Sequence, residues 1–157
     1  MEGGAMTAAA SEAAGTRGAA RARHVACCVD GAPGDDAAVE AARGLAGPGG
    51  RVSVVHVARR PLTGLVEGDP GDDPDGDGRA RRLVARAVEG VPGAEALILH
   101  GAPGPAICRW AEVAGADVLV VASRHPGRWG MSVLGPVTRH VVDHAPCAVL
   151  VVRHGEA

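Results

Sequence analysis

Two loops in this 157-residue chain carry the residue types that recognise an anion: Asp30 to Gly34 and Ala122 to Gly135. Each combines glycines, which let backbone amides approach a ligand closely, with a following helix start whose N–H groups point outward. Phosphate recognition is the chemistry that such a pair could perform, provided that the fold makes the loops neighbours. Other reactive constellations are weaker. Ser123 and His125 suggest a nucleophile beside a base, yet the elbow Gly-x-Ser-x-Gly is absent, because Val121 and His125 occupy its glycine positions. His140 and His144 are one helical turn apart, without an acidic or cysteine partner to complete a metal site. Asp73, Asp75, Asp77 and Gly78 imitate a calcium loop, but Val84 stands where its closing glutamate belongs and Pro74 interrupts the turn. Cys27, Cys28, Cys108 and Cys147 lack the spacing of a zinc site and read as reduced thiols, the first two pointing to opposite faces of one strand. No catalytic and no metal-ligating residue is expected.

The elements that must position the two loops follow from apolar patterning. Residues 1–22 are rich in Ala and Gly with almost no branched apolar side chain, the composition of a disordered tail. A single domain is expected over residues 23–154. Val25 to Val29 is a continuous small-apolar run, the pattern of a strand covered on both faces. A helix follows from Asp35 or Asp36, either of which could cap it, with Ala38, Val39, Ala42, Leu45 and Ala46 on one stripe and Gly47-Pro48 as its stop. Val52 to Val57 is the second strand. Residues 60–78 are Pro, Gly and Asp, a flexible acidic loop longer than an ordinary connection.

Beyond that loop, Arg79 to Glu89 forms a helix with Leu83, Val84, Ala87 and Val88 on one face and arginines on the other. Ala96 to Leu99 is a short third strand. Gly104-Pro105 opens a third helix lined by Ile107, Trp110, Ala111 and Ala114. Val118 to Ala122 is the clearest strand of all, and a last helix over Val137 to His144 leads past Pro146 into a fifth strand, Ala148 to Val152. Five buried strands alternating with four helices define an α/β fold, a doubly wound open parallel sheet with helices on both faces. Ligands of such sheets sit beyond the carboxyl ends of the strands, where the winding reverses.

Composition narrows the function classes. Apolar residues make up 46% of the chain, Phe and Tyr are absent, and Trp110 and Trp129 are the only aromatics, so Val, Leu and Ala must fill the interior. Trp110 fits a core position at helical spacing, whereas Trp129 lies in the second loop. All sixteen basic residues are Arg, but the net charge is −2, which argues against nucleic acid or an anionic membrane as partner. No apolar run reaches the length of a membrane span or an export signal, so the cytoplasm is the expected location.

Several short segments, in order and at family spacing, resemble the universal stress protein (UspA-like) family from Val25 to Arg153. They are Val29-Asp30-Gly31, His56-Val57, Gly101-Ala102-Pro103 with Ala106-Ile107, Ala116 to Val121, and most strongly His144-Ala145-Pro146-Cys147-Ala148-Val149-Leu150-Val151-Val152-Arg153. The resemblance implies strand order 3-2-1-4-5 in an adenine nucleotide alpha hydrolase-like fold. It also implies a homodimer through strand Ala148 to Val152, whose apolar edge would otherwise meet water. His56 reads as a hydrogen-bonded core histidine.

Nucleotide-binding members of that family carry Gly, two residues, Gly, nine residues, Gly, then Ser or Thr. Here those positions read Ala122, His125, Gly135 and Pro136. A Cβ at Ala122 and an imidazole at His125 crowd a pocket meant for bare backbone, and Pro136 removes both a hydroxyl and a backbone N–H. Against these losses, Asp30 matches the family's acidic position near the nucleotide and Val57 its adenine-side wall. Gly127, Arg128 and Gly130 could rebuild an anion site differently, and Ser123, His125 and Gly135 are further candidate residues of the crevice. The expectation is a stress-response dimer, not an enzyme, that acts by binding an unidentified protein partner and holds ATP weakly or not at all. The alternative is an ATP-binding switch, with slow hydrolysis left open.

Overall fold

The computed structural model describes residues 22–58, 77–123 and 134–153. The expected tail, nearly all of the acidic loop, and the segment 124–133 with His125, Gly127, Arg128, Trp129 and Gly130 lie outside the described residues. Among the described residues, nine elements alternate: β1 (His24–Cys28), α1 (Asp35–Ala46), β2 (Arg51–Ala58), α2 (Gly78–Glu89), β3 (Glu95–His100), α3 (Pro103–Ala114), β4 (Val118–Ser123), α4 (Pro136–His144) and β5 (Ala148–Arg153). All pairings are parallel and the order is β3-β2-β1-β4-β5. The winding therefore reverses between β1 and β4, where Val25 pairs with Val118 and Cys28 with Val121.

Period-two alternation sends each strand's side chains to two separate cores. Val25, Cys27, Val54 and Val120 face α1 and α2, packing on Val39, Ala42 and Val84. Ala26, Val55, Leu119 and Val121 face α3 and α4, packing on Ile107, Ala111 and Val141. With small helix residues at the contacts, the helices can lie close on the sheet, which is how an interior built without Phe or Tyr stays filled. Cys27 and Cys28 do face opposite cores, and all four cysteines are free thiols.

Sequence and structure part company over α1. Its N-cap is Gly34, in the left-handed region at φ 108°, and Asp35 is the first helical residue. Leu45 does not share the buried stripe: it is 37% exposed, because the burying positions run along Ala38, Ala42 and Ala46 at spacing four with Val39 beside them.

The amino ends of the strands are joined by polar side chains. His24 Nε2 is hydrogen-bonded with Ser53 Oγ at 2.8 Å, Ser53 Oγ donates to Glu95 Oε2 at 3.3 Å, and Arg51 Nη2 donates to His24 Nδ1 at 3.0 Å. Asp117 accepts from the backbone N–H groups of Arg23 and His24 at 2.9 and 2.8 Å. The edge of the Trp110 indole closes over His24, with ring centroids 5.8 Å apart. Four strand starts are thereby held together by groups that satisfy one another.

Candidate functional site

At the carboxyl ends of the same strands lies a crevice of about 660 Å³, within the range of small-molecule sites. Asp30, Val57, Ala122 and Gly135 all line it, so four of the residues singled out by sequence meet in one place. One wall is apolar, with Ile107, Val121 and Val137; the other carries Asp35, His56, Arg79 and Leu83.

The loop after β1 is rigidly built. Asp35, instead of capping its own helix, turns its carboxylate back to accept the N–H groups of Asp30 and Gly31 at 3.0 and 2.7 Å, and Asp30 Oδ1 accepts from the N–H of Ala32 at 3.0 Å. Burial pushes the Asp35 carboxyl above the usual carboxylate range, and the loop N–H groups oppose that push. Gly31 has φ 85°, and a Cβ there would lie 2.9 Å from Leu83 Cδ1 of α2. The backbone conformation calls for glycine, whereas the Leu83 methyl, at the far end of a flexible side chain, can move aside for a Cβ. His56 is hydrogen-bonded through Nδ1 to the carbonyl of Val29 at 2.8 Å, the satisfied core role expected of it, while still lining the crevice.

On the opposite side, α4 starts at Pro136 with Gly135 as its N-cap and no side-chain cap. Proline at this position suits the helix start but offers no N–H to a ligand. Ser123 does not line the crevice: it is 4% exposed, and its hydroxyl has no hydrogen-bond partner among the described residues. Cys28 does line it, and burial, and then its neighbour Cys108, pushes the thiol up to about 12, which disfavours the thiolate. Among the described residues there is no cluster of three metal-ligating side chains and no helix long and apolar enough to cross a membrane.

Sequence reasoning missed much of the lining, two polar side chains in particular. Thr138 brings a buried hydroxyl-bearing side chain to the crevice one turn into α4, and its position two residues after the lost hydroxyl at Pro136 was the available signal. Arg79 looked like one of several arginines on the polar face of α2; nothing local marked it as the one facing a cavity.

A five-stranded parallel sheet with this order, and a crevice at its reversal point between β1 and β4, define a doubly wound α/β fold of the class that places its crevice beyond the carboxyl ends of the strands. Within that class the chain belongs to the universal stress protein family, whose profile matches residues 21–153. A universal stress protein of Thermus aquaticus is 43% identical over 72 residues, which is 46% of this chain. That stretch spans 53% of the relative's own length, about half of it. Among solved structures, a universal stress protein in complex with cAMP aligns with a TM-score of 0.66 at 19% identity, covering 86% of this chain and 99% of the other. One from Archaeoglobus fulgidus in complex with dAMP gives a TM-score of 0.60 at 21% identity over 81% of this chain and 94% of the other. At such identities the two structures establish the fold.

Proposed function

We propose that this chain is a regulatory universal stress protein that acts as a homodimer by binding a protein partner, with a degenerate nucleotide site that holds ATP weakly or not at all. The observation that carries this reading is the start of α4. There Gly135 is retained but Pro136 supplies neither the hydroxyl nor the N–H that a triphosphate cradle needs, and Ala122 places a Cβ on the crevice wall opposite. The unit is residues 23–154, and within it β5 is an edge strand with Leu150 38% exposed, which favours isologous pairing through Ala148 to Val152.

Calorimetric titration with Mg-ATP tests the site. The natural protein is expected to give no micromolar binding, and a variant restoring the family pattern, Ala122→Gly with His125→Gly and Pro136→Ser, is expected to gain it. Micromolar binding by the natural protein would replace this reading with that of an ATP-dependent switch. Sedimentation as a monomer would remove the dimer from it.

The switch reading has its own support. The crevice is large enough for a nucleotide, and the aligned proteins bound to cAMP and dAMP share this fold. What separates the two readings is how a chain with this α4 start treats the phosphates.

A further inference from the structure

The crevice's charges are unevenly placed. Of its described lining residues, Arg79 is the one with a permanent positive charge, and it has no ion-pair partner among the described residues, unlike Arg43, which is bound by Glu40. Every helix contributes its first residues to the crevice, but each start offers something different. In α1, the carboxylate of Asp35 already accepts the loop N–H groups. Both α3 and α4 open with proline, which has no N–H. The first turn of α2 contains no acidic residue and carries Arg79. A cation at a helix start opposes the helix dipole, so its placement is unfavourable for the helix alone and favourable once an anion lies beside it.

We propose that Arg79 is the anion-recognition residue of the crevice and that it selects an adenine nucleoside monophosphate over the triphosphate, with the phosphate directed toward α2 and away from α4. This rests on the reading of the crevice as a descendant nucleotide site and deepens it. A guanidinium forks onto two oxygens of one phosphate and satisfies them with parallel N–H bonds. A single fork serves one phosphate and leaves the other two of a triphosphate without a second cation among the described lining residues, while the start of α4 at Pro136 lacks an N–H for them. The apolar wall of Ile107, Val121 and Val137 is left for the base.

The test is calorimetric titration of the natural protein, Arg79→Gln and Arg79→Lys with adenosine, AMP and Mg-ATP. Arg79 is exposed at the crevice mouth, so neither substitution disturbs the core. The natural protein is expected to bind AMP at least about tenfold more tightly than adenosine or Mg-ATP. Arg79→Gln is expected to abolish the preference for AMP over adenosine while leaving adenosine binding unchanged, and Arg79→Lys to restore part of it. Equal affinity for adenosine and AMP in the natural protein, or an equal loss of both in Arg79→Gln, overturns the role of Arg79 but leaves the degenerate site standing. Tighter binding of Mg-ATP than of AMP overturns both. Binding of none of the three overturns this inference and leaves only the partner-binding function.

Discussion

The two ends of the sheet are built from similar residues in opposite ways. At the amino ends of the strands, His24, Ser53, Glu95, Arg51 and Asp117 bond to one another or to the backbone, and Trp110 covers them. At the carboxyl ends, Asp30, Asp35 and His56 also bond to the backbone but together with Arg79 border an open crevice, and the Ser123 hydroxyl has no partner among the described residues. Polar groups that satisfy each other contribute to stability, whereas polar groups arranged around a crevice are disposed toward something that is not part of the chain. The same pleated strands therefore supply a clasp at one end and an open crevice at the other.

The sharpest way to break this contrast is to remove the centre of the clasp. His24→Ala is expected to lower unfolding free energy in urea by about 2–4 kcal/mol, through the cavity under Trp110 and the hydroxyl of Ser53 left without its ring partner. A loss below about 1 kcal/mol would make the network ornamental, since ordinary surface changes reach that size.

Proton linkage sharpens the contrast with a smaller effect, because the two ends titrate with opposite sign. Burial, and then the guanidinium of Arg51, holds the His24 imidazole below its usual value. The folded chain thus binds fewer protons there than the unfolded chain, and the contribution is complete above about pH 6.5 and lost as pH falls through the folded value. Asp35 behaves conversely: its raised carboxyl contributes stability that is present below the unfolded carboxylate value and lost as pH rises through the folded one. Stability measured against pH is expected to show an acid limb near neutrality that flattens in His24→Gln and persists in Asp35→Asn. The reverse pattern would place the acid sensitivity at the crevice.

The smallest expected effect belongs to Ser123. If its hydroxyl is unpartnered, Ser123→Ala changes stability by less than about 0.5 kcal/mol or raises it, since a buried donor without an acceptor is relieved when removed. A loss of more than about 1 kcal/mol would show that the hydroxyl is hydrogen-bonded in the native protein.

Local pattern made much of this legible. The run Val118 to Ala122, the glycine and proline stops, and the alternation of strands with helices placed every described element to within a residue or two. Strand order was not in the pattern, because alternation is the same whichever way the winding turns; resemblance supplied it, and the β1–β4 pairing agrees. Leu45 was misplaced because its size suggested burial, when the stripe was already complete with alanines. The clasp was invisible because its members come from strand starts 27 to 94 residues apart and meet only when four strands align. For the crevice, Asp30, Val57, Ala122 and Gly135 were legible through the family's spacing. Arg79 was not, since which of several arginines faces inward is decided by how α2 docks against Gly31.

The pairing of Val25 with Val118 also bears on how the chain comes into being. β1 and β2 can pair as soon as the first crossover helix has formed, but the other side of β1 must wait for a partner more than ninety positions further along. Closing so long a loop is slow compared with forming local helices. During synthesis, an emerging chain that ends before β4 therefore carries the apolar strand His24–Cys28 with one edge bare. The step that completes the crevice is the same step that removes this edge, so the bare edge of the half-made chain and the crevice of the finished one are governed by a single long-range encounter.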